Sequence, residues 1–234
     1  PDLLYKSVSE IECRIDADGN ELARLDIVQA KIKLQQLFNN GIRSVAIVFM
    51  HSYRFPEHEK KVGEIAKNIG FTQISLSHRV SPLIKFISRG DTTIIDAYLS
   101  PLLRRYVEQI SKSFDNSLDT INLLFMTSSG GLTAADVFQG RDAILSGPAG
   151  GIVGAIKTSA LSGADKIISF DMGGTSTDVA HYSGFIEKAF DTEIAGVRMR
   201  VPMMKIHTVA AGGGSILQFD GERFQVGPNS AGAS

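Results

Sequence analysis

One cysteine, Cys13, no tryptophan and almost no net charge define what this 234-residue sequence does without. A single thiol rules out a disulfide within the chain and fits a reducing cytosol. The 24 lysines and arginines nearly balance 25 aspartates and glutamates, for a formal charge of −1 and an isoelectric point near 6.6. The basic residues are scattered rather than massed, so no positive field is available to hold nucleic acid. No apolar run approaches the roughly 18–20 residues that cross a bilayer. The strongest is only Val45 to Met50. The expectation is a soluble, cytoplasmic protein with neither nucleic acid nor membrane as partner. The chain opens at Pro1-Asp2 without an initiator Met or a basic-then-apolar leader, which points to a piece of a longer polypeptide.

What is present is an ordinary globular balance, 43% hydrophobic and 21% charged. A helix-rich α/β region over residues 1–163 and a glycine-rich part over residues 164–234 predict two lobes. From Asp26 to Asn40 apolar residues recur at helical spacing, with Asp26 as N-cap and Gly41 as stop. A buried strand, Ser44 to Met50, a helix opened by Pro56 and closed by Gly70, and a strand from Gln73 to Ser77 together describe a parallel crossover unit. Asp91 starts the longest helical pattern, which runs to about Phe114. Ile94, Ile95, Tyr98, Leu102, Leu103, Tyr106, Val107 and Ile110 form its expected buried stripe, and Pro101 is expected to kink or split it. Arg89 and Asp91 read as a cap and ion pair at its head.

An apolar strand, Ile121 to Met126, then precedes a turn at Ser128 to Gly131 and a short helix near Ala134 to Phe138. The segment SGPAGG from Ser146 reads as a loop entering a closely packed helix. Beyond Gly163, the stretches Lys166 to Phe170, Thr177 to Tyr182 and Phe185 to Phe190 read as a strand meander. A strand around Val209 and two strands about Asp220-Gly221 complete the pattern. The class is α/β.

The segment with the most chemistry is Asp171-Met172-Gly173-Gly174-Thr175-Ser176-Thr177-Asp178, set between two apolar strands. Gly173 and Gly174 let backbone N–H groups approach an anion closely, since no Cβ intervenes and positive φ is available. Thr175, Ser176 and Thr177 add hydroxyl donors. Asp171 and Asp178 would repel bare phosphate, so a phosphate site here needs a cation, and Mg²⁺-nucleotide is the natural ligand. No Gly-Lys-Ser/Thr is present, so this is not a P-loop. A glycine hairpin with solvated aspartates fits the same residues. The run Gly212, Gly213, Gly214 and Ser215 reads either as bare backbone for a nucleoside or as a strand-connecting turn. Ser146-Gly147-Pro148-Ala149-Gly150-Gly151, opened by Ser146 and Gly147, reads either as a helix-entry anion site or as glycines that permit close helix packing. Ser129, Gly130 and Gly131 read as a substrate loop or a plain connection. None of the five histidines, His51, His58, His78, His181 and His207, has metal-ligand spacing. His207, beside the glycine cluster, is the one placed to touch substrate or phosphate.

DMGGTSTDVA, SGPAGGIVGA at Ser146 to Ala155, IHTVAAGGGSI at Ile206 to Ile216 and RGDTTIIDAYLSPLLRRY at Arg89 to Tyr106 together resemble the hydantoinase A/5-oxoprolinase family across nearly the whole chain. The resemblance implies an actin/hexokinase/Hsp70-like, ribonuclease H-like ATPase lobe with a mixed sheet, preceded by a helix-rich subdomain. It implies ATP and Mg²⁺ as cofactors, with Asp171 as the metal-holding and catalytic carboxylate and Asp178 as its partner. In such folds each lobe supplies one Asp-x-Gly-Gly-Thr-type turn, and the first of the two is not in this sequence. The family pattern also continues past the Ser-Ala-Gly-Ala ending at Ala233-Ser234. The implied partners are therefore an N-terminal lobe and a hydantoinase B-type half or subunit, and the chain by itself is expected to be inactive.

The activity implied is ATP-dependent opening of a cyclic amide, 5-oxoproline (glutathione metabolism) or a hydantoin. An unstrained lactam is a poor electrophile, and phosphorylating its carbonyl oxygen would create a leaving group. An ATP-dependent, acetone-type ketone carboxylase subunit shares the motifs. A nucleotide-binding regulatory or chaperone-like module is the reading from a different class.

Overall fold

The computed structural model describes residues 3–114, 121–194 and 196–232. The expectations attached to Pro1-Asp2 and to Ala233-Ser234 lie outside the described residues. Two compact units emerge. The first comprises residues 1–125, 134–144 and 190–201, the second residues 126–133, 145–189 and 202–234.

The first unit is built on the crossover. Helix α1 (Ile27–Asn39) begins where the Asp26 carboxylate accepts the Gln29 amide at 2.9 Å, and Gly41 follows it at φ +85. Strand β3 (Ser44–Ile47) pairs in parallel with β4 (Gln73–Leu76), and α2 (Glu57–Ile69) connects them before a left-handed Gly70. Ala30, Leu34, Ile47, Val62, Ala66, Phe71 and Leu76 form the core, with Phe38 edge-on to Phe71 at 5.4 Å. A Cβ on Gly63 would stand 3.0 Å from Leu76, so the bare glycine lets α2 lie close on β4. A short hairpin of β1 (Arg14–Ile15) and β2 (Glu21–Ala23) precedes these elements, and α3 (Ser77–Val80) follows them.

Helix α4 (Phe86–Lys112) departs from expectation at its start and on its buried face. It begins five residues before Asp91 and carries Pro101 inside one continuous helix rather than being split there. Tyr98, Leu102 and Tyr106 are exposed, whereas Arg89, Thr92, Thr93, Asp96 and Ser100 are buried. The apolar stripe holds only in part, with Ile95 buried and Ile94, Leu103, Val107 and Ile110 half-buried, because the rest of the buried face packs through hydrogen bonds. Thr92 accepts the Arg200 amide, Asp96 accepts the Ser75 hydroxyl, and the Ser100 hydroxyl accepts the Gly140 amide of α5 (Gly140–Ala143). Residues 134–138 form a strand end and turn instead of a helix.

Arg89 and Asp91 do not pair. Arg89 is fully buried, and its guanidinium donates to the carbonyls of Leu83, Ile84, Phe49 and Met50 and to Ser77 Oγ. Desolvation lowers its pKa, and the nearby Glu59 opposes that shift. Burial pushes the Asp91 carboxyl up, with Arg198 as its opposing charge. Glu59, also fully buried, accepts from the Phe49 and His78 amides, the Ser52 and Ser77 hydroxyls and His78 Nδ1. Ser77 Oγ therefore stands between two buried charges, accepting from one and donating to the other.

In the second unit β7 (Lys166–Met172), β8 (Thr177–Ser183) and β11 (His207–Val209) form an antiparallel sheet in the order β11-β8-β7. The expected meander is corrected here. The third strand beside β8 is β11, while β9 (Lys188–Ile194) pairs with β10 (Val197–Met204). Helix α6 (Ser146–Leu161) packs on this sheet through Ala149 and Ile152 against Ala180 and Met204. SGPAGG is the first part of that helix rather than a loop before it. Strands β5 (Leu124–Met126) and β6 (Leu132–Ala134) flank the Ser128–Gly131 turn, and β12 (Ser215–Phe219) pairs with β13 (Phe224–Ser230). Among the described residues no helix is long and apolar enough to cross a membrane.

Replacing Arg89 with Met would leave four carbonyls and the Glu59 charge without their compensating cation. The expected loss is about 3–5 kcal/mol, read in urea as a lower unfolding midpoint with an unchanged slope. A loss below about 1 kcal/mol would mean that water replaces the guanidinium without cost.

Candidate functional site

Asp171 closes β7 and Asp178 opens β8, and the antiparallel register sets them directly opposite each other. Cross-strand partners stand about 4.5–5.5 Å apart at Cβ on one face of the sheet, where like charges destabilise the pair unless something lies between them. Between the strands the chain turns through Gly173 to Ser176, and the Gly173 amide donates to Ser176 O at 2.9 Å. Gly174 and Thr175 are exposed, and their N–H groups donate to nothing among the described residues. The Asp171 carboxylate also makes no hydrogen bond there. Asp178, by contrast, accepts the Thr208 hydroxyl at 2.6 Å, which fixes one of its oxygens.

A second glycine segment pins this turn from behind. Gly213 N–H donates to Gly173 O at 2.9 Å and Gly214 N–H to Gly174 O at 2.7 Å. A Cβ on Gly212 would lie 2.5 Å from Gly173 O and 2.8 Å from the Gly174 carbonyl carbon, so a side chain cannot be accommodated without moving backbone. Ser215 Oγ accepts the Gly212 amide, and Thr177, buried, donates its hydroxyl to Ala211 O at 2.6 Å. Neither Gly173 nor Gly174 adopts positive φ, and a Cβ on either would meet only ordinary contact or open space, so the glycine that close backbone approach requires is Gly212.

Helix α6 supplies the opposite wall. A Cβ on Gly151 would stand 3.4 Å from Asp171 Oδ2, so the third glycine of SGPAGG leaves the carboxylate its room. Pro148, Gly151, Ile152, Asp171, Asp178 and Ile206 are among the residues lining a pocket of about 210 Å³. Pockets that enclose whole ligands run to about 300–1,000 Å³. This pocket is too small for a whole nucleotide, and of the candidate site it includes the two carboxylates but not the turn residues Gly173 to Ser176.

The remaining sequence candidates fall elsewhere in the second unit. Ser129, Gly130 and Gly131 belong to a turn closed on itself by Thr127, and a Cβ on Gly130 (φ +85) would collide with Met204. Ser146 and Gly147 occupy the first turn of α6, with no side-chain cap and open space beside Gly147. His207 is exposed on β11 opposite Val179 and outside the pocket lining. Thr208 has no signal of its own in the sequence, and Gly151, part of the candidate anion-or-packing segment, meets a carboxylate that the segment itself does not announce. Their contacts with Asp178 and Asp171 cross 30 and 20 residues of chain. A local pattern carries no record of such contacts.

The donor set fits a divalent ion with phosphate. Two opposed carboxylates, free amides at the turn and surrounding apolar walls are what a hard cation and a polyanion require together. Among the described residues no group of three or more His, Cys, Asp or Glu could hold a metal by itself.

Comparison with known proteins agrees with this geometry. A 5-oxoprolinase of Dictyostelium discoideum is 43% identical over 271 residues, a match that covers all of this chain and 21% of that protein. The crystal structure of an ATP-dependent caprolactamase from Pseudomonas jessenii superposes with a TM-score of 0.82 at 33% identity, over 95% of this chain and 33% of that one. A nucleotide-free acetone carboxylase structure gives 0.79 at 27% identity, over 94% of this chain and 32% of that one. The chain thus spans about a fifth of the length of the curated relative it matches. The hydantoinase/oxoprolinase profile matches residues 89–234 and the profile of the N-terminal region of the same proteins matches residues 1–70, so the chain belongs to the hydantoinase/oxoprolinase family.

Proposed function

We propose that this chain carries the metal-phosphate end of the nucleotide site in an ATP-dependent cyclic amidohydrolase that opens 5-oxoproline or a hydantoin. The observation that carries the reading is the Asp171/Asp178 pair, two carboxylates held opposite each other at a turn whose outward amides are free. The 5-oxoprolinase relative supports the substrate class. The acetone carboxylase neighbour keeps an ATP-dependent ketone carboxylase as the second reading, at lower identity.

Residues 164–234 would form the nucleotide-binding part. Asp171, with no competing hydrogen bond, would hold Mg²⁺ directly or through water. Asp178 would orient a water or the cation, with Thr208 as its positioning residue. The Gly174 and Thr175 amides and the Thr175 and Ser176 hydroxyls would bind phosphate. Gly212, Gly213 and Gly214 spend their amides on Ser215 and on the turn, so they would meet a nucleoside only as bare backbone. Thr177 serves the turn through Ala211. When bound, ATP supplies a phosphoryl group for the amide oxygen, which makes the ring carbon open to water. The hydrolytic groups would come from an N-terminal lobe and a hydantoinase B-type half or subunit, in the cytoplasm.

Asp171→Asn in the full-length enzyme preserves size and removes the charge. Lactam-stimulated phosphate release is expected to fall by about two orders of magnitude or more, with thermal unfolding unchanged. A turn-forming role alone would make Asn nearly neutral, so near-wild-type activity in a folded variant would remove Asp171 from the site. Gly212→Ala tests the docking behind it. Backbone displacement is expected to destabilise the fold by about 1–3 kcal/mol and to lower nucleotide affinity, measured by calorimetry. Unchanged affinity would show that the turn keeps its shape without the second glycine segment.

A further inference from the structure

We infer that a second cavity, in the first unit, is a seat for a small cyclic amide bearing a carboxylate. The inference rests on the amidohydrolase reading and assigns a place to the substrate ring. The cavity holds about 390 Å³, inside the range of small-molecule sites. One wall comes from the β1–β2 hairpin, the other from the loop after β3. Leu22, Phe49, Met50 and Phe55 provide apolar and flat aromatic surface suited to ring methylenes.

The loop is not free to vary. Arg89 donates to the carbonyls of Phe49 at 2.5 Å and Met50 at 2.9 Å, while Glu59 accepts the Phe49 amide at 3.0 Å and the Ser52 hydroxyl at 2.6 Å. Two buried charges thus grip residues 49–52 from both sides. Burying such a pair is costly, and replacing it with apolar residues often does no harm to stability. The grip therefore has a second consequence beyond stability, which is that His51 is presented to the cavity at a fixed place.

The polar residues lining the cavity fall into two groups. Asp16 accepts from the Asp18 and Asn20 amides and the Asn20 side chain, His58 meets Glu21 at 2.9 Å, and Ser52 is bound to Glu59. His51 and Arg14 have no such partner. Neither ring nitrogen of His51 is hydrogen-bonded among the described residues; Nδ1 is buried away from solvent, which leaves Nε2 as the nitrogen open to a ligand. Arg14, exposed at the cavity's edge, makes no side-chain hydrogen bond or ion pair among the described residues. An imidazole exchanges one hydrogen bond with a ring amide, which offers both N–H and C=O, and a guanidinium matches a carboxylate. A lactam acid such as 5-oxoproline carries both groups on a ring small enough to enter.

Cys13, the chain's only cysteine, lines the same cavity and reports on its occupancy. Burial, with Glu21 adding to it, pushes the thiol pKa up, so thiolate is scarce at neutral pH and alkylation should be followed in mildly alkaline solution. The Cys13 peptide is quantified by mass spectrometry during iodoacetamide treatment, with and without 5-oxoproline or the uncharged 2-pyrrolidone. At ten times the dissociation constant, bound lactam is expected to slow the reaction about tenfold. Arg14→Gln should raise the concentration of 5-oxoproline needed by about tenfold and leave that of 2-pyrrolidone unchanged. His51→Phe should raise both, with circular dichroism and thermal unfolding checking that each variant is folded. No protection by 5-oxoproline up to its solubility limit, or protection that survives both substitutions, would overturn the assignment. Lactam-stimulated phosphate release by the full-length enzyme without Cys13 protection would discard the cavity and keep the amidohydrolase reading. Protection without stimulated release would do the reverse.

Discussion

The docking of one glycine segment onto another is the constraint on which the candidate nucleotide site depends. Gly213 and Gly214 donate to the carbonyls of Gly173 and Gly174, and the position of Gly212 leaves no space for a Cβ. Those carbonyls are satisfied from behind, and the remaining amides, those of the exposed Gly174 and Thr175, donate to nothing among the described residues. An ordinary hairpin turn would leave both its carbonyls and its amides to water. Here two carbonyls are tied down while two amides stay unpaired among the described residues, which leaves donors for an anion.

The carboxylates follow from the same geometry. Strand register alone makes Asp171 and Asp178 neighbours, and their mutual repulsion is tolerable at the open end of a sheet only with water or a cation between them. Thr208 on β11 then makes the two unlike, because it binds Asp178 and leaves Asp171 free. Gly151 of α6 preserves that freedom by withholding a side chain. Three motifs separated along the chain thus act on one pair of acids.

The first unit uses polarity differently. Its crossover core is apolar, but α4 is joined to its neighbours by buried hydroxyls, amides and the Arg89–Ser77–Glu59 relay. Hydrogen bonds are directional where apolar contacts are not, so this packing sets loop geometry closely. The loop after β3 is shaped by that network, and the adjoining cavity with it.

Much of this was legible in the sequence wherever the cause is local. Asp26 as a cap, Gly41 and Gly70 as stops and the strand-turn-strand around DMGGTSTD rest on interactions within a few residues, and the parallel crossover follows from the order of such locally marked elements, which periodicity and capping chemistry record. The family-like motifs marked where the chemistry gathers. Tertiary structure alone decided that Arg89, Thr92 and Asp96 face inward while Tyr98 and Tyr106 face out, that β11 rather than β9 lies beside β8, and that SGPAGG is helix. It also decided which glycine answers to which contact, and that Thr177 supports the turn while Thr208 orients an acid. The partners in these cases lie tens of residues apart, as Thr177 and Ala211 do. A hydrogen bond or a missing Cβ acts at a distance of a few ångströms in space, whatever the separation along the chain.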